Sequence, residues 1–127
     1  MNQLNDKGNK HGYWETYSTR GTLLSMGNYV DGVKEGYWIG YWEDGSIMYK
    51  GNYVNGKPDG YWEWYWNNGN LHSKGTYING KEEGYWEEYW RIDSLYSKGY
   101  YAGGKKQGCW EYYFENSILY TKKYYIL

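Results

Sequence analysis

The chain has 127 residues, among them 20 Tyr, 9 Trp and 19 Gly, and its 14 Lys plus Arg stand against 15 Asp plus Glu for a net charge of −1. An apolar mass that is aromatic rather than aliphatic, with glycine this frequent, excludes a helical bundle and favours strands joined by tight turns. The even charge balance argues against a general nucleic-acid binder, and no apolar run approaches the ~20 residues of a transmembrane helix.

Residues 1–11 hold the tail of a degenerate unit that closes on Gly8. From Gly12 onward, units of 24 residues follow without insertion at 12–35, 36–59, 60–83 and 84–107, with a shorter last one at 108–127. Each opens on a glycine and carries a tryptophan two residues later, at Trp14, Trp38, Trp62, Trp86 and Trp110. A fixed period of this length marks a repeat architecture. In the third unit, Tyr61–Trp66 reads as a strand, Asn68-Gly69 as a turn, Leu71–Ile78 as the return strand, and Asn79-Gly80 as a second turn.

A two-residue turn at Asn68-Gly69 sets Trp66 opposite Leu71, Glu63 opposite Lys74 and Trp62 opposite Gly75. The same register opposes Glu87 to Lys98 and Glu111 to Lys122, whereas Ile39 leaves Lys50 without an acid. Each indole is expected to shield the bare backbone of its partner glycine. One face then carries the repeated Trp with Trp42, Trp66, Trp90 and Phe114. The other carries tyrosines, the Glu–Lys rungs and His72. The pattern predicts an all-β single domain of about five 24-residue hairpins, hence about ten strands, with no helix longer than one turn.

Catalytic signals are thin. His11 and His72 are far apart in the repeat, no Cys, His or acid spacing suits a metal, and Cys109 stands where the other units have Tyr. No enzyme, metal or cofactor is expected. The lone Cys and the lack of a charged-then-apolar leader fit a cytoplasmic protein, bacterial or in the host cytoplasm if viral. Trp64 stands where other units have Thr16, Gly40, Glu88 and Tyr112, so Trp62, Trp64 and Trp66 form an indole-rich patch suited to a binding surface. Trp42, Trp90, Lys50 and Lys74 complete the candidate set, the lysines as grips for phosphate or an acidic partner. At the C-terminal edge, Tyr124, Tyr125, Ile126 and Leu127 are candidates for pairing with a second copy or a partner strand.

The stretch Lys50-Gly51-Asn52-Tyr53-Val54-Asn55-Gly56-Lys57-Pro58-Asp59-Gly60 resembles a MORN repeat, and Gly75-Thr76-Tyr77-Ile78-Asn79-Gly80-Lys81-Glu82-Glu83-Gly84 resembles it again. Trp62 and its equivalents take the place of the second glycine of the usual Gly-x-Gly. That is similar to variant repeats of bacterial and viral proteins, some antitoxin-like. The resemblance implies an elongated single-layer antiparallel sheet that serves as a scaffold or binding surface, with lipid headgroups as ligands for some members. Three functions are expected from it and from the residues: a module binding a protein partner, antitoxin- or immunity-like; a binder or sponge for a nucleotide or lipid headgroup; or a structural subunit of a larger assembly.

Overall fold

The computed structural model describes residues 1–126. These residues form one open antiparallel sheet of eleven strands in strict chain order, with no helix among them. The strands are β1 (Gln3–Leu4), β2 (Lys10–Tyr17), β3 (Leu23–Val30), β4 (Val33–Tyr41), β5 (Ile47–Val54), β6 (Lys57–Tyr65), β7 (Leu71–Ile78), β8 (Lys81–Tyr89), β9 (Leu95–Ala102), β10 (Lys105–Tyr113) and β11 (Leu119–Tyr125). The short β1 pairs with β2 and adds the eleventh strand to the expected ten.

Two kinds of connection alternate. Asn55 and Gly56 both have positive φ, 51° and 78°, as a two-residue hairpin turn of type I′ demands, and Ile78 pairs with Lys81 across the equivalent Asn79-Gly80 turn. The other connection differs from expectation. Trp66 N–H donates to Asn70 O at 2.8 Å and Gly69 N–H to Trp66 O at 3.1 Å, closing a three-residue loop with Gly69 at φ 90°. A type I turn twists against the strands unless a left-handed residue follows it, and Gly69 is that residue. Tyr65, not Trp66, therefore pairs with Leu71, and His72 bulges out before Trp64 meets Ser73. The shorter pairing and the bulge cancel, so Glu63–Lys74 and Trp62–Gly75 oppose each other as expected.

A larger bulge lies between hairpins. Met26 pairs with Ile39 and Asn28 with Glu35, so Gly36, Tyr37 and Trp38 face Gly27 alone, with Gly36 at φ 79°. This bend tips each indole toward the preceding hairpin. Trp38 lies on Gly27, Trp62 on Gly51, Trp86 on Gly75 and Trp110 on Gly99. The indole thus shields the glycine of the unit before, not its own register partner. Each Nε1–H then donates to a carbonyl next to that glycine: Trp38 to Asn28 at 3.0 Å, Trp62 to Asn52 at 3.0 Å, Trp86 to Thr76 at 3.1 Å and Trp110 to Tyr100 at 3.0 Å.

The core is consequently a line of rings along one face of a single sheet. Trp38, Trp62 and Trp110 are wholly buried and Trp86 nearly so. Tyrosines stand edge-on between them, with centroids 5.1 Å apart for Tyr53–Trp62 and 6.0 Å for Trp62–Tyr77. Such edge-to-face pairs contribute about 0.5–1.5 kcal/mol each beyond area burial. In the first hairpin the Trp14 indole N–H has Gln3 O of β1 at 3.0 Å, and Asn2 bonds Glu15 N and O.

Candidate functional site

The tryptophan face opens into two aromatic slots beside the three-residue loops. One, of about 370 Å³, is lined by Trp42, Met48, Trp64, Tyr65, His72 and Ser73. The other, of about 380 Å³, is lined by Trp90, Tyr96, Tyr112, Tyr113, Phe114, Tyr120, Thr121 and Lys123. They are the same place in the repeat two units apart, for Trp42 corresponds to Trp90, Trp64 to Tyr112 and His72 to Tyr120. Four strands at ~4.8 Å separate them by ~19 Å. An aromatic wall distinguishes both from the unit between, where Glu88 takes that position.

Each wall is held from below. Trp64 stacks on Trp62 at 5.5 Å and 25° and leans on Tyr49 at 5.3 Å. Tyr49 in turn fills the space over Gly40, where a Cβ would collide with it. Trp42, Trp66 and Trp90 each reach forward, their indole N–H groups 3.1, 3.2 and 3.1 Å from the carbonyls of Tyr65, Tyr89 and Tyr113. So the second tryptophan of a unit locks to the next unit as the first locks to the one before.

The candidate set therefore divides. Trp42, Trp64 and Trp90 line slots. Trp66 is half-buried between His72, with ring centroids 4.3 Å apart, and the Arg91 guanidinium, 5.4 Å from its centroid. Trp62 is fully buried and has no surface to offer a partner, because the glycine it covers lets it sink into the sheet. His72 is also displaced from expectation: the bulge turns it from the tyrosine face onto Trp66 and into the first slot.

Lys50 and Lys74 lie among the Glu rungs of the opposite face. Lys50 is not unpaired, for its ammonium is 3.7 Å from Glu63 of the next hairpin, as Lys74 is 3.5 Å from Glu87 and Lys98 3.9 Å from Glu111. A strand inside a sheet has two neighbours, and Ile39 removes the acid on one side only. At the C-terminal edge, Tyr124 and Ile126 are exposed, while Tyr125 is half-buried against Tyr112, with the hydroxyls 3.0 Å apart. Leu127 lies outside the described residues.

Sequence reasoning missed three lysines. Lys10 lies 5.0 Å from the Trp14 centroid, Lys34 4.8 Å from that of Trp38, and Lys106 4.8 Å from that of Trp110. Pro58 and Glu82 fill the same place in the middle units and break the pattern that would have revealed them. Burial, and then the charge of Lys10, hold the Lys34 ammonium below its ordinary value.

Glu63 and Glu87 feel burial as the largest influence, which raises a carboxyl. Two tyrosine hydroxyls and the lysines together outweigh it, and both acids are held below the usual range. Among the tyrosines, Tyr49 is pushed up to about 12 chiefly by burial, and Tyr61 to about 12 by burial and its bond to Glu63. The stability due to the two glutamates is present above their unfolded value of ~4.5 and lost as pH falls through the lower folded values. That due to the two tyrosines is complete below pH ~10 and lost as pH rises toward 12. Denaturant unfolding should thus show a plateau from about pH 5 to 10 with a fall on either side. Absorbance at 295 nm should show the half-buried Tyr49 ionising only toward pH 12. A single tyrosine transition at pH ~10 in the folded protein would contradict this burial.

The family comparison agrees with this geometry. The MORN repeat variant matches residues 10–31, 34–55 and 58–79, over half of the chain. The chain belongs to the MORN repeat variant family. Each match covers one loop-closed hairpin, β2–β3, β4–β5 or β6–β7, and ends on the first residue of the following type I′ turn. MORN repeats are protein- or membrane-binding scaffold modules, and the family is typically non-enzymatic. Comparison with curated proteins returned no match. Beyond residue 79 the MORN-like register continues through β8 to β11, with Trp86 and Trp110 seated as their predecessors are.

Proposed function

We propose that this MORN protein is a non-enzymatic binding module whose two slots take apolar or aromatic side chains of a protein partner. The observation that carries the reading is the recurrence of a slot of nearly equal volume at one repeat position two units apart. Phe114 and Tyr120 at the second slot are 49% and 63% exposed, a cost in water that a partner would relieve. The preformed sheet needs little ordering on association. An antitoxin- or immunity-like role is the form of such binding that the resemblance implies.

Trp64→Thr tests it, because threonine is what the first unit carries at Thr16. A partner captured from the native host and identified by mass spectrometry should bind this variant at least ~5-fold more weakly, about 1 kcal/mol. Circular dichroism should remain that of a sheet. Unchanged affinity would reject the slot as the contact.

A second reading rests on Lys10 and Lys34, neighbouring cations on the tryptophan face, each over two rings. That pair suits a phosphorylated small ligand or an anionic headgroup. Inorganic phosphate and vesicles of anionic lipid separate the two. Binding of either that survives Lys10→Gln with Lys34→Gln removes this reading and leaves the slots untouched.

A further inference from the structure

The tyrosine face lacks one ring that its repeats otherwise supply. In three units the rung glutamate accepts a tyrosine hydroxyl on each carboxylate oxygen. Tyr13 and Tyr17 bond Glu15 at 2.9 and 2.7 Å, Tyr61 and Tyr65 bond Glu63 at 3.0 and 2.7 Å, and Tyr85 and Tyr89 bond Glu87. In the last unit Cys109 replaces the first tyrosine. Among the described residues, Glu111 keeps only the Tyr113 hydroxyl, at 3.0 Å on Oε2.

What the missing ring leaves is a notch of about 220 Å³, bounded by Tyr85, Lys98, Tyr100, Cys109 and Glu111 with the backbone of Gly99 as its floor. One repeat earlier the residue that corresponds to Cys109 is Tyr85, whose hydroxyl donates to Glu87 Oε2 at 2.8 Å. We propose that this notch is a binding site for a phenolic ring. The thiol has no chemical part in it and matters only by being short.

The walls specify the occupant. Gly99 offers a flat floor, since Trp110 covers that glycine from the other face. Tyr100, 58% exposed, packs against Tyr85 with ring centroids 5.4 Å apart, so the two rings form one aromatic wall beside the notch. Glu111 Oε1 accepts a hydroxyl proton, and Lys98, 3.9 Å from Oε2, keeps the carboxylate oriented. A ring without a hydroxyl would fill the space yet strip water from that oxygen and return nothing. The site lies on the face opposite the slots and stands or falls independently of them.

The test is titration of the full chain with p-cresol, followed by amide shifts in nuclear magnetic resonance at about millimolar ligand. Shifts should centre on Lys98–Tyr100 and Cys109–Glu111. Toluene should bind about tenfold more weakly, the worth of one hydrogen bond to a charged acceptor. Cys109→Tyr, which restores the residue of the other units, should abolish these shifts. Glu111→Gln, which leaves only a neutral amide acceptor, should shrink the preference for p-cresol over toluene, and serves if the first variant does not fold. N-acetyltyrosinamide distinguishes the source of the ring: binding equal to p-cresol's points to a tyrosine of a partner protein, and binding by p-cresol alone to a small phenol. Equal affinity for toluene and p-cresol, or notch shifts that persist in folded Cys109→Tyr, would overturn the proposal.

Discussion

Trp62→Ala is expected to lower the stability of the fold by about 3–5 kcal/mol, the range for removing a large buried aromatic. Trp62 is wholly buried at the centre of the sheet, where it touches Tyr53, Tyr77, Tyr49 and Trp64. Its loss uncovers the Gly51 backbone and leaves the Asn52 carbonyl without its indole donor. No facing layer can collapse into the hole, because the sheet is single. Repeat arrays hold together through nearest-neighbour interfaces, so damage at the middle one should also reduce cooperativity. Urea unfolding would show a lower midpoint and a broadened or split transition. A sharp transition with an unchanged midpoint would refute the coupling of hairpins through this indole.

Gly51→Ala should cost about 1–3 kcal/mol or more by the opposite route, overpacking. Gly51 has an ordinary strand φ, so the penalty is not conformational. A Cβ there would overlap the rigid ring system of Trp62, which has no solvent to retreat into. The two substitutions should be strongly non-additive. Once the indole is gone, the alanine methyl has nothing to strike and covers part of the exposed strand. The double variant should therefore be no less stable than Trp62→Ala alone. Simple addition of the two losses would mean that the indole does not rest on Gly51.

The period and the strand pairing were legible in the sequence for local reasons. Asn55-Gly56 and Asn79-Gly80 need positive φ at both positions, which few residues tolerate, so the dipeptide announces its turn. The placement of Glu63 against Lys74 follows from alternation along β6 and β7, because the three-residue loop that joins them and the bulge at His72 cancel. The three-residue loop at Trp66–Asn70 was harder to read, since a type I turn with Gly69 behind it and a two-residue turn at Asn68-Gly69 present the same letters. His72 went to the wrong face for that reason alone.

The candidate site was legible as composition and not as arrangement. Trp64 stood out because other units do without it, and it does line a slot. Nothing in the letters told a sunken Trp62 from a half-exposed Trp42, or revealed that the Lys106 ammonium rests over a ring.

By itself, then, the sequence determined the repeat, the antiparallel sheet and the register at the centre of each hairpin, all of which depend on residues within one or two turns of each other. Tertiary structure alone decided the direction in which each side chain leans. Trp62 chose Gly51 over Gly75, Lys50 chose Glu63, and Trp66 reached forward to Tyr89. A strand inside a sheet has a neighbour ~4.8 Å away on either side, and periodicity treats the two alike. The bulge at each Gly-x-Trp breaks that equivalence by placing three residues against one, and its tilt exists only when adjacent hairpins are paired.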